Sequence, residues 1–86
     1  MVCMTYFTYI LKSKSATKTY VGHTNSMNRR LSEHNSDKHY YTKRYAPWEV
    51  IRIEKYDNLD EAIRREHYLK TASGRRWLSR NAFAKN

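Results

Sequence analysis

Three side chains stand where a helical pattern calls for apolar ones. Met27, Arg30, Leu31 and His34 share one helix face by i, i+3, i+4 spacing. A guanidinium and an imidazole therefore project from the side that Met27 and Leu31 turn toward a core. Glu66 interrupts a second stripe in the same way, with Leu59, Ala62, Ile63, Leu69 and Lys70 around it. A carboxylate there is costly unless a cation, a metal or several donors meet it. With Tyr9 and Tyr20 nearby, these groups suit phosphodiester cleavage: a carboxylate to hold Mg²⁺, a Tyr or His to relay a proton, and an arginine to clamp the phosphate in a fork. Each also has a plainer role. Glu66 and Arg30 could form a structural bridge, His34 could be a helix C-terminal histidine favoured by the dipole, Tyr9 and Tyr20 could be core residues, and Gly22 only a bend. His39 and His67 read as surface residues.

The elements that must position these groups follow from local pattern. Met4 to Leu11 reads as a strand, with Phe7, Tyr9 and Leu11 on one face and Tyr6, Thr8 and Ile10 on the other. A polar turn over Lys12 to Lys18 predicts a hairpin into Thr19–His23, which brings Tyr9 and Tyr20 into one neighbourhood. Gly22 allows a bend or a close approach, and Thr24, Asn25 and Ser26 are N-cap types. The first helix is expected over about Asn25 to His34. Lys38 to Pro47 reads as a basic loop. Val50, Ile51 and Ile53 put apolar groups on both faces of a strand over Trp48 to Tyr56, which predicts a central position in the sheet. Asn58 and Glu61 form a capping-box pattern ahead of a helix from Leu59 to Ala72. Gly74 is expected to break that helix before a short basic one that packs through Trp77 and Leu78. The order argues for α+β: a small, mostly antiparallel sheet flanked by helices. One small domain over 1–86 is expected, with a core over about 5–77 and a basic C-terminal tail over 78–86.

Charge narrows the class. Seventeen Lys and Arg against eight Asp and Glu give +9 on 86 residues, a field that recruits polyanions, nucleic acid first among them. Tyr40, Tyr41 and Tyr45 lie among Lys38, Lys43 and Arg44, and aromatics beside cations suit stacking with phosphate contact. Lys38, Tyr41, Lys43 and Arg44 are therefore candidate substrate contacts. Cys3 is the only cysteine, which excludes an internal disulfide and a Cys-based zinc cluster. The longest apolar run, Tyr6 to Leu11, is far too short for a membrane span, and no signal peptide is evident. A reducing, cytoplasmic location is expected.

Five landmarks then fall in order. They are Phe7-Thr8-Tyr9, Tyr20-Val21-Gly22, Arg30, His34 one turn later in Arg29-Arg30-Leu31-Ser32-Glu33-His34-Asn35, and Glu66 within Arg64-Arg65-Glu66-His67. In these the chain resembles the GIY-YIG nuclease family, its small single-domain bacterial members above all, from about Thr5 to Trp77. The resemblance implies a three-stranded antiparallel sheet with flanking helices and an endonuclease using one divalent metal, Mg²⁺ or Mn²⁺, held by Glu66. It implies that Tyr20 assists water activation, as general base or through His23 or His34. It implies that Tyr9 orients Tyr20 or touches the phosphate, and that Arg30 stabilises the transition state. Gly22 would let backbone and DNA come close, and His23 would take part in proton handling. Two departures stand out: Phe7-Thr8 replaces the usual Gly-Ile pair, and Asp37 occupies a turn position where relatives often have Gly. Asp tolerates positive φ but places an acid beside the DNA path. The function so implied is a metal-dependent DNA endonuclease, structure-specific and repair-related. The alternative is a non-cleaving or partner-dependent nucleic-acid-binding module, since the chain has no room for an extra DNA-reading domain and a partner protein could supply substrate choice. A structural protein built on an Arg30–Glu66 bridge would leave the charge unexplained.

Overall fold

The run Tyr6–Ser13 carries apolar side chains on both faces, and it forms β1, the middle strand of the sheet. The structure, a computed structural model, describes residues 5–36 and 40–81, and of Tyr40 and Tyr41 the backbone alone. Cys3, Asp37, Lys38 and His39, and the side chain of Tyr41, lie outside the described residues. β2 (Thr19–Thr24) returns antiparallel to β1 with Tyr9 opposite Gly22 and Leu11 opposite Tyr20. β3 (Trp48–Tyr56) pairs antiparallel on the other side, giving the order β2-β1-β3. β3 is thus an edge strand, not the central one. Its two-sided apolar pattern has another cause, because helices cover both faces of this sheet. Val50 packs with Tyr9, Leu11 and Trp48, and Ile51 packs with Ile10, Val21, Leu69 and Leu78. Ile53, at 47% exposure, betrays the edge.

α1 (Met27–His34) lies on the Tyr9 face through Met27 and Leu31. It starts two residues later than expected, because the Thr24 side chain takes up the chain ahead of it by accepting from the Ser26 N–H at 3.1 Å. At its far end the Asn35 amide brackets the Trp48 backbone, accepting from its N–H at 2.5 Å and donating to its carbonyl at 3.2 Å. The expected basic loop contains a short helix, α2 (Tyr40–Arg44), whose Thr42 carbonyl accepts from the Trp48 indole at 2.6 Å. Ser13 Oγ donates to the Tyr45 carbonyl at 2.6 Å, so the β1–β2 turn is tied to the segment behind α2.

α3 (Leu59–Leu69) begins as expected, with Asn58 accepting from the Glu61 N–H at 2.9 Å. It ends three residues before Ala72, and α4 (Ala72–Asn81) follows after Lys70 and Thr71. Thr71 makes the corner: its hydroxyl donates to the Tyr68 carbonyl at 2.6 Å and accepts from the Gly74 N–H at 3.1 Å. Gly74 therefore breaks nothing. It is buried inside α4, where a Cβ would lie 2.1 Å from the Tyr68 carbonyl oxygen and 2.6 Å from the Leu69 Cα. Backbone cannot yield as a flexible side chain does, so Gly74→Ala should reach or exceed the upper end of the ~1–3 kcal/mol range for overpacking. The melting temperature should fall by at least ~10 °C on thermal denaturation. Leu78, 3% exposed, joins the Ile10 cluster, so the boundary expected at residue 78 falls inside a packed helix. Among the described residues no helix is long and apolar enough to cross a membrane.

Candidate active site

The hairpin register places the two tyrosines before any helix is added. Tyr9 and Tyr20 sit on the α1 face with ring centroids 6.2 Å apart. Gly22 lies beneath them: a Cβ there would come 2.5 Å from the Tyr9 hydroxyl and 2.9 Å from Tyr20 Cε1. The φ of Gly22 is not positive, so glycine serves close approach rather than a turn. The space it vacates is filled by the phenols.

α1 then delivers Arg30 and His34 onto the phenols. Arg30 Nε donates to the Tyr9 hydroxyl at 3.3 Å, and its terminal nitrogen donates to Glu33 at 3.1 Å. His34 Nε2 lies 2.8 Å from the same hydroxyl, and its ring stands 4.6 Å from that of Tyr20. The Tyr9 hydroxyl thus accepts from Arg30 and shares a second hydrogen bond with His34, whose direction is set by the imidazole tautomer. Tyr9 and His34 are both 0% exposed. Burial puts both behind the protein surface, in contact with Arg30 and Tyr20. Burial also pushes the Tyr9 phenol up to about 12, against the hydrogen bond from Arg30. Tyr9 is therefore protonated throughout the neutral range. Arg30 is shifted further upward, first by its hydrogen bond to Tyr9.

Glu66 comes from the other side of the sheet edge. The alternative bridge between Arg30 and Glu66 is not what forms. Glu66 Oε1 lies 2.5 Å from His23 Nδ1 and its Oε2 2.6 Å from Lys70 Nζ. Burial alone would raise this carboxyl, but the hydrogen bonds from Lys70 and His23 more than offset that and hold it below its usual value. Glu66 is thus an ionised, acceptor-only group, and the hydrogen on the His23 contact belongs to Nδ1. In the neutral ring this leaves His23 Nε2 as a base. His23 is the more open of the pair, with 37% of its side chain exposed against 12% for Glu66.

The fit to a divalent ion follows from this donor set. Among the described residues no three His, Cys, Asp or Glu side chains gather as a cage. A lone ionised carboxylate, one oxygen bonded to His23 and the other to Lys70, keeps further lone pairs for an ion such as Mg²⁺, which keeps waters and takes its other ligands from a substrate phosphate. Glu66 would hold it. Lys70 was not singled out from the sequence as part of the site, although its i, i+4 spacing from Glu66 is the signal that could have found it. Lys43 and Arg44 are exposed on α2, with the Arg44 guanidinium 5.7 Å from the Tyr45 ring centroid.

Residues 5–80 match the GIY-YIG catalytic domain. The chain is 32% identical over 69 residues to a UPF0213 protein of Natronomonas pharaonis, covering 79% of this chain and 80% of that one. It is 36% identical over 69 residues to a UPF0213 protein of Syntrophus aciditrophicus, covering 78% of each. Among solved structures, the solution structure of a UPF0213 protein from Bacillus halodurans superposes with a TM-score of 0.56 at 28% identity, over 92% of this chain and 87% of that one.

Proposed function

Because the chain belongs to the GIY-YIG catalytic-domain family, whose members are nucleases, we propose that it is a divalent-metal-dependent endonuclease that cuts DNA, branched DNA among its substrates. The observation that carries this reading is the pairing of His23, near the end of β2, with the ionised Glu66 carboxylate, close enough to Tyr9 for its charge to act on the phenol to which Arg30 donates. What the ion would supply, bound at Glu66, is positive charge against the phosphate oxygens and leaving group. The chain's own residues do the rest. His23, oriented by Glu66 through Nδ1, accepts the proton of the attacking water at Nε2, with the Tyr20 hydroxyl positioning that water. Arg30, anchored by Tyr9 and Glu33, presents its remaining N–H donors to the non-bridging oxygens as charge builds there. Tyr9 and His34 fix that arrangement from below.

The test is nicking of plasmid and of branched DNA with Mg²⁺ or Mn²⁺ by the wild type, Arg30→Ala and Glu66→Gln. Product from the wild type alone supports the reading. Equal product from all three, or binding without product from the wild type, would sink it, and the second result would point instead to a non-cleaving binding module.

A role for Tyr9 as anchor has its own signature. Tyr9→Phe should lower the cleavage rate about tenfold, since small misplacements in such sites are costly. It should leave the shape of the pH–rate profile unchanged between pH 6 and pH 10, because a phenol near 12 contributes no limb there. Stability should fall by about 1–3 kcal/mol, as His34 Nε2 loses its buried partner. A lost alkaline limb would show that Tyr9 does titrate in the reaction.

A further inference from the structure

The opposite flank of β2 carries a feature that the reaction does not use. β2 is an edge strand, and between it and α4 runs a groove in two neighbouring compartments. The inner one, about 300 Å³, is lined in part by Lys70, which bonds Glu66, and so adjoins the Glu66–His23 pair. The outer one, about 350 Å³, adds Lys18, Thr17 and Ser79. Thr19, Arg75 and Leu78 line both compartments, so the two lie side by side along β2. Its cations come in succession, Lys70 beside Glu66, then Arg75, then Lys18, and no acidic side chain lines it. Leu78, buried against Val21, contributes to its floor. At the outer end Lys18 Nζ stands 5.5 Å over the Tyr45 ring, with Arg44 on the same ring. The groove therefore joins the reactive end of β2 to the basic, tyrosine-bearing segment behind α2. From His23 to Lys18 is five residues, ~17 Å at about 3.3 Å per residue, a length that several phosphates of an extended strand would span.

We propose that this groove binds a single strand of nucleic acid by its backbone, holding the phosphates on one side of the cut with Lys70, Arg75 and Lys18 and with the Thr17, Thr19 and Ser79 hydroxyls. The proposal rests on the nuclease reading for its direction, since the strand in the groove is the one that enters the active site. Each compartment has the volume of a small-ligand pocket, which admits a nucleotide but not a duplex. A cationic channel without base-reading groups tracks backbone and not sequence. The contrasting role for Arg75 and Lys18 is to guard the free edge of β2 against strand pairing, a common use of charge at sheet edges.

The experiment is fluorescence anisotropy of a labelled single-stranded DNA oligonucleotide with the whole chain, in EDTA so that nothing is cut, over a salt series. Arg75→Ala should reduce the slope of log affinity against log salt by about 0.7, and Lys18→Ala with Arg75→Ala by about 1.4, as expected for one and two lost phosphate contacts on a single strand. Lys55→Ala, the same charge lost from an exposed site on β3, should change the slope by much less. The effect should be weaker on blunt duplex. If Arg75→Ala and Lys55→Ala are indistinguishable, or duplex loses as much as the single strand, the groove is not a strand site, and nuclease activity is untouched by that result. Groove-dependent binding by a chain that never cuts would overturn the nuclease reading and leave the groove in place.

Discussion

Replacing Glu66 with Gln is expected to lower metal-dependent cleavage by ~10³-fold or more while leaving nucleic-acid affinity at or above that of the wild type. The amide keeps the shape of the side chain and removes its charge. An ion bound there contributes several kcal/mol of transition-state charge stabilisation, and each ~1.4 kcal/mol is a factor of ten in rate. The same change replaces the carboxylate that fixes the His23 Nδ1 hydrogen with a weaker, neutral amide acceptor, so proton acceptance suffers as well. Binding moves the other way, because one negative charge leaves a cationic cleft in which Lys70 no longer faces a carboxylate. Folding should hardly change. Lys70 is 51% exposed, and solvent-screened pairs of this kind contribute under about 1 kcal/mol. The sign with pH follows from the depressed carboxyl: its stabilising contribution is present above the ordinary value of 4.5 and is lost as pH falls through the lower folded value. Single-turnover nicking, anisotropy and thermal melting together decide the matter. A variant that melts lower but cuts normally would make Glu66 a structural link between β2 and α3 and nothing more.

What could be read from the sequence was the misfit of single residues with their own helices. Arg30, His34 and Glu66 each break an apolar stripe; Arg30 and His34 lie beside the paired tyrosines, and Glu66 turns toward β2, where it meets His23. The Asn58 cap and the hairpin that joins Tyr9 to Tyr20 were legible for the same reason, since their causes lie within a few residues. The partners of the charged groups were not legible. Glu66 meets His23 across 43 residues of chain, and nothing local distinguishes that pairing from one with Arg30. Sheet order failed similarly: Val50 and Ile51 report only that both faces of β3 are covered, which a sheet clad on both sides produces even at its edge. Gly74 was misread because a glycine that ends a helix and one that lets two helices touch look alike in one sequence. The difference is the Tyr68 carbonyl, 2.1 Å from where a Cβ would be.

Arg30 should be the second residue the reaction cannot lose, and the loss should be shared with Tyr9. Arg30→Ala is expected to reduce cleavage ~10²–10³-fold, the usual effect of removing one preorganised donor from a developing oxyanion. Arg30→Lys should recover little, because an ammonium cannot reproduce the fork that bonds Tyr9 and Glu33 and still presents donors to a phosphate. Tyr9 is 0% exposed and protonated in the neutral range, so its contribution must pass through the groups it holds. A double-mutant cycle then has a definite outcome. Tyr9→Phe with Arg30→Ala should cut no more slowly than Arg30→Ala alone, because an anchor has nothing to position once the guanidinium is gone. If the two losses instead multiply, Tyr9 acts on the reaction independently of Arg30. Water activation would then have to be sought among the buried phenol and His34, and not at the more open His23.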